Sequence, residues 1–278
     1  MPFAVLPDRA LLQASGPDAR HFLHNVVTCN VETLEPGGAR FGALLAPQGK
    51  ILCDFLLYGV AEDRFLIDAP KALAADLLKR LSLYRLRAKV DLGLWGGAGV
   101  GAQWGEPADL PDGAQAFPDP RLPALGQRIV LSEGAVGAED AAAYEAHRIG
   151  LGIPKGGADF VYGDAFPHET DMDQLGGVDF KKGCYVGQEV VSRMQHRGTA
   201  RTRTVIARFE HAPEPGAEIF AGEKPLGRMG SAAGTQGIAL ARLDRAADAR
   251  AAGLALVCAG IEVTLHRPAW AAFEMGDA

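Results

Sequence analysis

Beyond Thr199 the pattern of the chain changes. Five short β-type runs, TVIARFE, AEIFAG, LGRMGSAA, GIALARL and IEVTLH, follow one another with Gly- and Pro-containing turns between them. A run that short cannot bury its apolar face alone, and closely spaced strands with frequent turns close into a small barrel or sandwich. Residues 199–278 are therefore expected to form a C-terminal β domain.

The N-terminal half alternates strands with helices. Residues 9–14 (RALLQA) read as a strand, and Ser15-Gly16-Pro17-Asp18 as a helix start with Ser15 as N-cap. Phe22, Leu23, Val26 and Val27 follow at helical spacing. ARFGALL and ILCDFLLYGV flank Pro47-Gln48-Gly49-Lys50, which predicts a hairpin. Arg64–Asp68 reads as a strand, and residues 70–83 as an amphipathic helix with Leu73, Leu77, Leu78 and Leu81 on one stripe. Arg87–Leu94 returns as a strand. This order predicts an α+β, ferredoxin-like unit. Residues 141–149 are expected to be helical, residues 154–177 irregular, and residues 188–194 to begin a helix or strand.

Composition excludes several classes. The 278 residues are 48% hydrophobic and 22% charged, ordinary values for a globular protein. No run approaches the roughly 18 uncharged apolar residues of a membrane span. The N-terminus meets Asp8 and Arg9 early, which argues against a secretory signal. Cys29, Cys53, Cys184 and Cys258 are scattered without a CxxC pair, so no metal site is expected, and reduced thiols fit a cytoplasmic protein. A net charge of −6 argues against a general nucleic-acid binder. Zincin, P-loop, dinucleotide and serine-hydrolase motifs are absent.

Three segments carry candidate chemistry. In Lys181-Lys182-Gly183-Cys184-Tyr185-Val186-Gly187-Gln188-Glu189, two glycines bracket a thiol and an aromatic ring. Lys181 and Lys182 stand where they could favour the Cys184 thiolate; an inert glycine turn is the plainer alternative. Upstream, Asp159, Asp164, Glu169, Asp171, Asp173 and Asp179 make residues 156–180 acidic. A Mg²⁺ or Ca²⁺ site from Glu169, Asp171 and Asp173 is one reading, although the spacing does not fit an EF-hand loop; a solvated loop, or Glu169 on the edge of a heteroaromatic ring, are the other readings. Downstream the sign reverses: residues 190–209 hold Arg193, Arg197, Arg201, Arg203 and Arg208 and no acid. These arginines form either a solvated face or a seat for a polyanion such as a polyglutamate tail, a phosphate or RNA. Without interleaved aromatics, direct tRNA binding is not expected.

KKGCYVGQE followed by VVSRMQHRGTARTR resembles the signature of the YgfZ family. These are folate-binding relatives of the glycine-cleavage T-protein (aminomethyltransferase), a group that includes mitochondrial iron–sulfur assembly proteins. Leu44–Ile51, Arg148–Pro154, Phe166-Pro167-His168-Glu169 and PLGRMGSAA…GIALARL extend the resemblance over most of the chain. It implies a T-protein-like folate-binding fold with a C-terminal β-barrel. Its domains would be a discontinuous core (residues 1–46 and 115–198), an α+β domain (47–114) and the barrel (199–278). It implies tetrahydrofolate, or a related reduced folate, as cofactor, with Arg148, Glu169, Tyr185, Gln188 and Glu189 as binding residues. Lys182, Gly183, Cys184, Tyr185, Gly187, Gln188 and Glu189 become the functional strip, with Cys184 and Lys182 as its reactive pair. The implied function is an accessory factor for assembly or repair of [4Fe–4S] proteins. Its partners would be cluster carriers and client enzymes, including tRNA-modifying radical enzymes, with a transient cluster shared with a partner. A tetrahydrofolate-dependent one-carbon transferase is the alternative, and a tRNA-binding module the second. Where T-proteins carry an Asp-Asp pair, this chain has Cys53-Asp54, which counts against aminomethyl transfer.

Overall fold

The computed structural model describes residues 2–97, 99–105, 110, 112–132, 141–198 and 200–275. The chain divides into two compact units, Met1–Tyr144 with Leu175–Val190, and Glu145–Gln174 with Val191–Ala278.

The first unit begins with β1 (Phe3–Val5), β2 (Arg9–Ser15) and α1 (Ala19–Val26). It continues through β3 (Ala39–Leu45), β4 (Ile51–Ala61), β5 (Arg64–Pro70), α2 (Ala74–Arg85) and β6 (Asp91–Leu94). Strands β7 (Gly99–Gln103), β8 (Gln115–Pro118) and β9 (Gln127–Leu131) complete its sheets. One sheet has the order β3-β4-β5-β2-β6 and the other β1-β7-β9-β8, with every neighbouring pair antiparallel. Phe22, Leu23 and Val26 of α1, and Leu77 and Leu81 of α2, share one core with Leu44, Phe55, Leu57, Phe65 and Ile67 of the five-stranded sheet. Helices on one face of an antiparallel sheet make the expected α+β arrangement, here with β2 between β5 and β6.

Several local expectations shift. The 46/47 division drawn from the sequence runs through the β3–β4 hairpin, where Leu45 pairs with Ile51. Ser15 does not cap α1. The N-cap is Asp18, which makes no side-chain capping bond, because its Oδ2 accepts from the Lys89 N–H instead (2.7 Å). The last strand of this sheet begins at Asp91 rather than Arg87, since α2 runs on to Arg85.

Helix α3 (Ala141–Gly150) leads into the second unit and α4 (Gln188–Arg197) follows the glycine strip. Next come β10 (Thr202–Phe209), β11 (Glu218–Ala221), β12 (Lys224–Ala233), β13 (Gln236–Arg242), α5 (Leu243–Ala251), β14 (Leu256–Cys258) and β15 (Ile261–His266). The strands close into a barrel of order β10-β13-β12-β11-β14-β15. Its interior is filled by Val205, Ala207, Ile219, Met229, Ala239, Ala241, Cys258 and Val263. All five sequence-predicted β runs are strands of this barrel; α5 and β14 were not predicted, and β14 is only three residues long. Among the described residues no helix is long and apolar enough to cross a membrane.

Candidate functional site: an exposed thiol on a pinned loop

The glycine strip is held from below by a buried lysine. Lys182 turns inward, and its ammonium donates to the carbonyls of His24, Val27 (2.7 Å) and Cys29 (2.9 Å). These carbonyls lie at and just beyond the C-terminus of α1, where helix carbonyls lack intrahelical partners and the dipole is negative. An ammonium has three N–H donors, so these three acceptors consume it. Burial pulls the amine down to about 8, against the opposing pull of Cys29, Asp179 and Glu32. Lys182 is thus not the activator of Cys184 expected from its place in the sequence. It fastens the strip to α1.

Other bonds fix the same backbone. Asp179 Oδ1 accepts the N–H groups of Lys181 (2.7 Å) and Lys182 (3.1 Å), and the Asp179 N–H donates to Thr28 O (3.0 Å). The Thr28 hydroxyl donates to Gly177 O (2.6 Å) and accepts from the Ala43 N–H (2.8 Å). Tyr185 is buried beneath the Lys182 ammonium, 5.3 Å from its ring centroid, and burial pushes its phenol up to about 12. Gly187 has φ +81° and lies against the β3–β4 turn: a Cβ there would meet Ala46 O at 2.6 Å. Gly49, at the tip of that turn, also has φ +81° and packs against Val190. The two glycine turns recognised separately in the sequence are therefore one backbone contact, closed to any side chain.

On this support Cys184 is exposed, while Cys29, Cys53 and Cys258 are buried. Burial pushes the Cys29 thiol up to about 11 and raises Cys53 and Cys258 as well. These three are packing residues that stay protonated at neutral pH. Gln188 and Glu189 open α4; Glu189 is exposed in its first turn, where the helix dipole favours a carboxylate. Among the described residues no group of three or more His, Cys, Asp or Glu side chains could hold a metal ion.

The second unit places Arg148 and Glu169 differently from expectation. Arg148 is buried, with all five N–H donors engaged inside the protein. Nε and Nη2 reach Glu145 Oε2 (2.9 and 2.6 Å), Nη1 reaches Ile153 O (3.0 Å) and Asp159 Oδ2 (2.9 Å), and Nη2 also reaches Ser231 Oγ (2.9 Å). Asp159 accepts further bonds from the Lys155 N–H (2.8 Å), the Ser231 N–H (2.7 Å) and the Ser231 hydroxyl (2.6 Å). The network ties α3 to β12, and it does not fit Arg148 to a folate, since no donor is left. Glu169 is half-buried and its Oε2 accepts from the Phe166 N–H (2.8 Å), which orients the carboxylate within its turn.

The acidic loop and the arginine run, read separately in the sequence, partly neutralise each other. Arg203 is buried and donates to His168 O (2.7 Å), Asp171 Oδ1 (3.2 Å) and both carboxylate oxygens of Asp173 (2.6 and 3.0 Å). Asp171 is fully buried, accepts from the Thr204 hydroxyl, and has φ +58°. Burial pushes its carboxyl up to about 7 despite Thr204 and Arg203. Arg193, Arg197, Arg201 and Arg208 remain exposed. The pairings of Asp159 with Arg148 and of Asp171 and Asp173 with Arg203 are not read from the sequence; the abrupt sign reversal between residues 156–180 and 190–209 is the signal for the second.

The fold and the strip define a class: a protein with a T-protein-type N-terminal domain followed by a small β-barrel. Residues 10–93 match the family described as GCVT N-terminal domain, and residues 201–273 that described as CAF17, C-terminal beta-barrel domain. The glycine cleavage system aminomethyltransferase T from Bartonella henselae superposes with a TM-score of 0.80 over 97% of this chain and 86% of its own; at 17% identity this shows the fold alone. The human iron–sulfur cluster assembly factor IBA57, mitochondrial, is 31% identical over 271 residues, covering 84% of this chain and 76% of its own length. The mouse protein of the same name is 30% identical, with 85% and 76% covered. The Neurospora crassa homolog is 34% identical over 71% of this chain, which spans 51% of that protein's length. This chain belongs to the CAF17/IBA57 family. It spans between 51% and 59% of the length of four fungal relatives that it matches. One expectation is corrected here. These relatives carry the label mitochondrial, so the cytoplasmic location inferred from reduced thiols and the N-terminal residues does not stand.

Proposed function

We propose that this chain is an accessory factor in iron–sulfur protein assembly, in which Cys184 lends one thiolate to a cluster passing between a carrier protein and a [4Fe–4S] client. The carrying observation is the contrast among the four thiols: Cys184 alone is exposed, on a loop pinned by Lys182 and closed by the Gly187–Gly49 contact. A rigid support lets one ligand meet a cluster without ordering a loop first. The remaining ligands come from the partner, and the thiol loses its proton on ligation. The YgfZ-type character of the strip, and clients that include tRNA-modifying radical enzymes, belong to the same proposal. Cys184→Ser should leave unfolding stability within about 0.5 kcal/mol, as expected for an exposed position. It should abolish the absorption of a cluster shared with a carrier and the support of [4Fe–4S] enzyme activity in a deletion strain. Full complementation by Cys184→Ser would refute the thiol's role.

A reduced folate enters this proposal through Glu169, and Arg148 drops out. A carboxylate has about four lone-pair sites, and one that is oriented by a backbone N–H suits the amino and ring N–H groups of a pterin edge. Glu169→Ala should weaken tetrahydrofolate binding about ten-fold or more in calorimetry, since a hydrogen bond to a charged group contributes about 1.5–3 kcal/mol. Unchanged affinity would remove Glu169 from any folate site. Aminomethyl transfer is not part of the proposal: Cys53 stands where a second carboxylate would be, and its thiol is buried in the sheet.

A further inference from the structure

The C-terminal end of α2 breaks the rules that the rest of the first unit obeys. Residues 82–87 (SLYRLR) are exposed throughout. Leu83 is 68% exposed, Leu86 87% and Tyr84 37%; Leu94, on edge strand β6 beside α2, is 57% exposed. The inward stripe of the helix ends at Leu81, so Leu83 and Leu86 contribute nothing to the core. Leu86 also terminates α2 with φ +47°, a conformation that costs a branched side chain and suits glycine. A strained backbone that displays a leucine to solvent points to a use for that leucine.

The charge around it is mostly positive. Residues 77–90 contain Lys79, Arg80, Arg85, Arg87 and Lys89; Asp76 and Asp91 border the run, and the Asp18 carboxylate accepts the Lys89 N–H. Arg80 is paired with Asp76 (2.5 Å), and Arg85 donates to Val90 O (3.3 Å), whereas Arg87 and Lys89 lie exposed beside the leucines. Apolar tips ringed by cations complement an apolar hollow ringed by carboxylates.

Helix α1 links this corner to the segment that carries the thiol. Its N-terminus is held at Lys89 through Asp18 Oδ2, and its C-terminus is held by Lys182. Eight helical residues span about 12 Å, and His21 and Asn25 expose the face of α1 between the two ends. A standard interface covers about 800 Å² per partner, a patch about 30 Å across.

We propose that the Leu83–Lys89 corner is a docking surface for an acidic protein partner, the one that also meets Cys184. This rests on the carrier reading of Cys184. The corner supplies affinity and on-rate through Leu83, Leu86, Arg87 and Lys89, and Cys184 supplies the ligand.

The probe is a purified acidic iron–sulfur carrier protein in apo and cluster-loaded forms, titrated against the full chain. Leu83→Ser, Arg87→Glu and Leu86→Gly should each weaken binding of the apo carrier at least ten-fold, while Cys184→Ser leaves apo binding unchanged and loses only the shared cluster. Leu86→Gly should keep or raise the melting temperature, because glycine accepts the positive φ; its loss of binding is then no folding defect. Raising salt from 50 to 300 mM should weaken the wild type more than Arg87→Glu. Equal binding by wild type and corner variants would overturn the docking surface and leave the Cys184 reading intact. No binding of either carrier form by the wild type would overturn both. Binding to anionic phospholipid vesicles without binding to the carrier would make the corner a membrane contact and overturn the protein-partner assignment.

Discussion

Lys182 in the first unit and Arg148 in the second are both buried cations in segments that sequence reasoning marked for chemistry, yet their charges are met in opposite ways. Arg148 is surrounded by carboxylates, with Asp159 and Glu145 neutralising it and Ser231 and Ile153 O taking its last donors. Lys182 lies over the Tyr185 ring and donates to three peptide carbonyls from the end of α1. One arrangement cancels charge and joins α3 to the barrel wall. The other uses a charge to hold backbone, and so frees the neighbouring thiol to face solvent. A dense run of polar residues in a sequence therefore has two structural outcomes, and counting donors and acceptors decides which one applies.

The largest expected effect breaks the first arrangement. Arg148→Met leaves Asp159 as an uncompensated buried charge, for which the cost is about 3–5 kcal/mol. Urea unfolding should show that loss without any specific change in Cys184 labelling. Lys182→Met comes next. It strands three carbonyls but no carboxylate, so the expected loss is about 2–3 kcal/mol, within the range for buried unsatisfied groups. It should also change the alkylation rate of Cys184 in the folded protein, because the strip is no longer tied to α1. A larger loss for Lys182→Met than for Arg148→Met would reverse the comparison.

The third effect concerns pH. The Asp171 carboxyl titrates at about 7 in the fold, above its ordinary value of 3.8. Between those values the folded state holds a proton that the unfolded chain has released, so stability falls as pH rises from about 4 to 7 and is flat above. Asp171→Asn removes that titration. Asn also tolerates φ +58°, and the Thr204 hydroxyl can turn from donor to acceptor. The variant should show a higher Tm than the wild type at pH 7.5, and the gain should vanish near pH 4. A gain that persists at pH 4 would place its origin in backbone strain rather than in the carboxyl.

Much of this architecture is legible in the residues. The β3–β4 hairpin follows from two apolar runs around Pro47–Lys50, the α2 core stripe from Leu77 and Leu81, and the barrel from short runs after Thr199. What was not legible depends on contacts distant in sequence. Lys182 reads as a surface lysine beside a cysteine until α1 is placed under it. Arg148 reads as a ligand-binding arginine until Ser231, 83 residues away, takes one of its donors. Ser15 looks like an N-cap because propensity is local, while Asp18 is diverted to Lys89, 71 residues on. The strip at residues 181–189 stands out in the sequence because Gly, Cys and Tyr carry their chemistry in their identity. The exposed corner at Leu83–Arg87 was missed because its leucines at first reading continue an amphipathic helix.

The link from Lys182 to α1 also bears on how the chain is made. It closes a loop of 153 residues between Cys29 and Lys182. At about 5–20 residues per second of synthesis, roughly 8–30 s pass between the emergence of those two residues. Strands β1 to β9 can pair during that interval, but the end of α1 keeps its carbonyls unsatisfied until residue 182 arrives. The exposed thiol of Cys184 follows two residues later. A nascent chain that stalls or is cut before this point presents no Cys184, and one that has passed it gains its thiol together with the lysine that fixes it. Order of translation thus couples the appearance of the exposed thiol to completion of the unit beneath it.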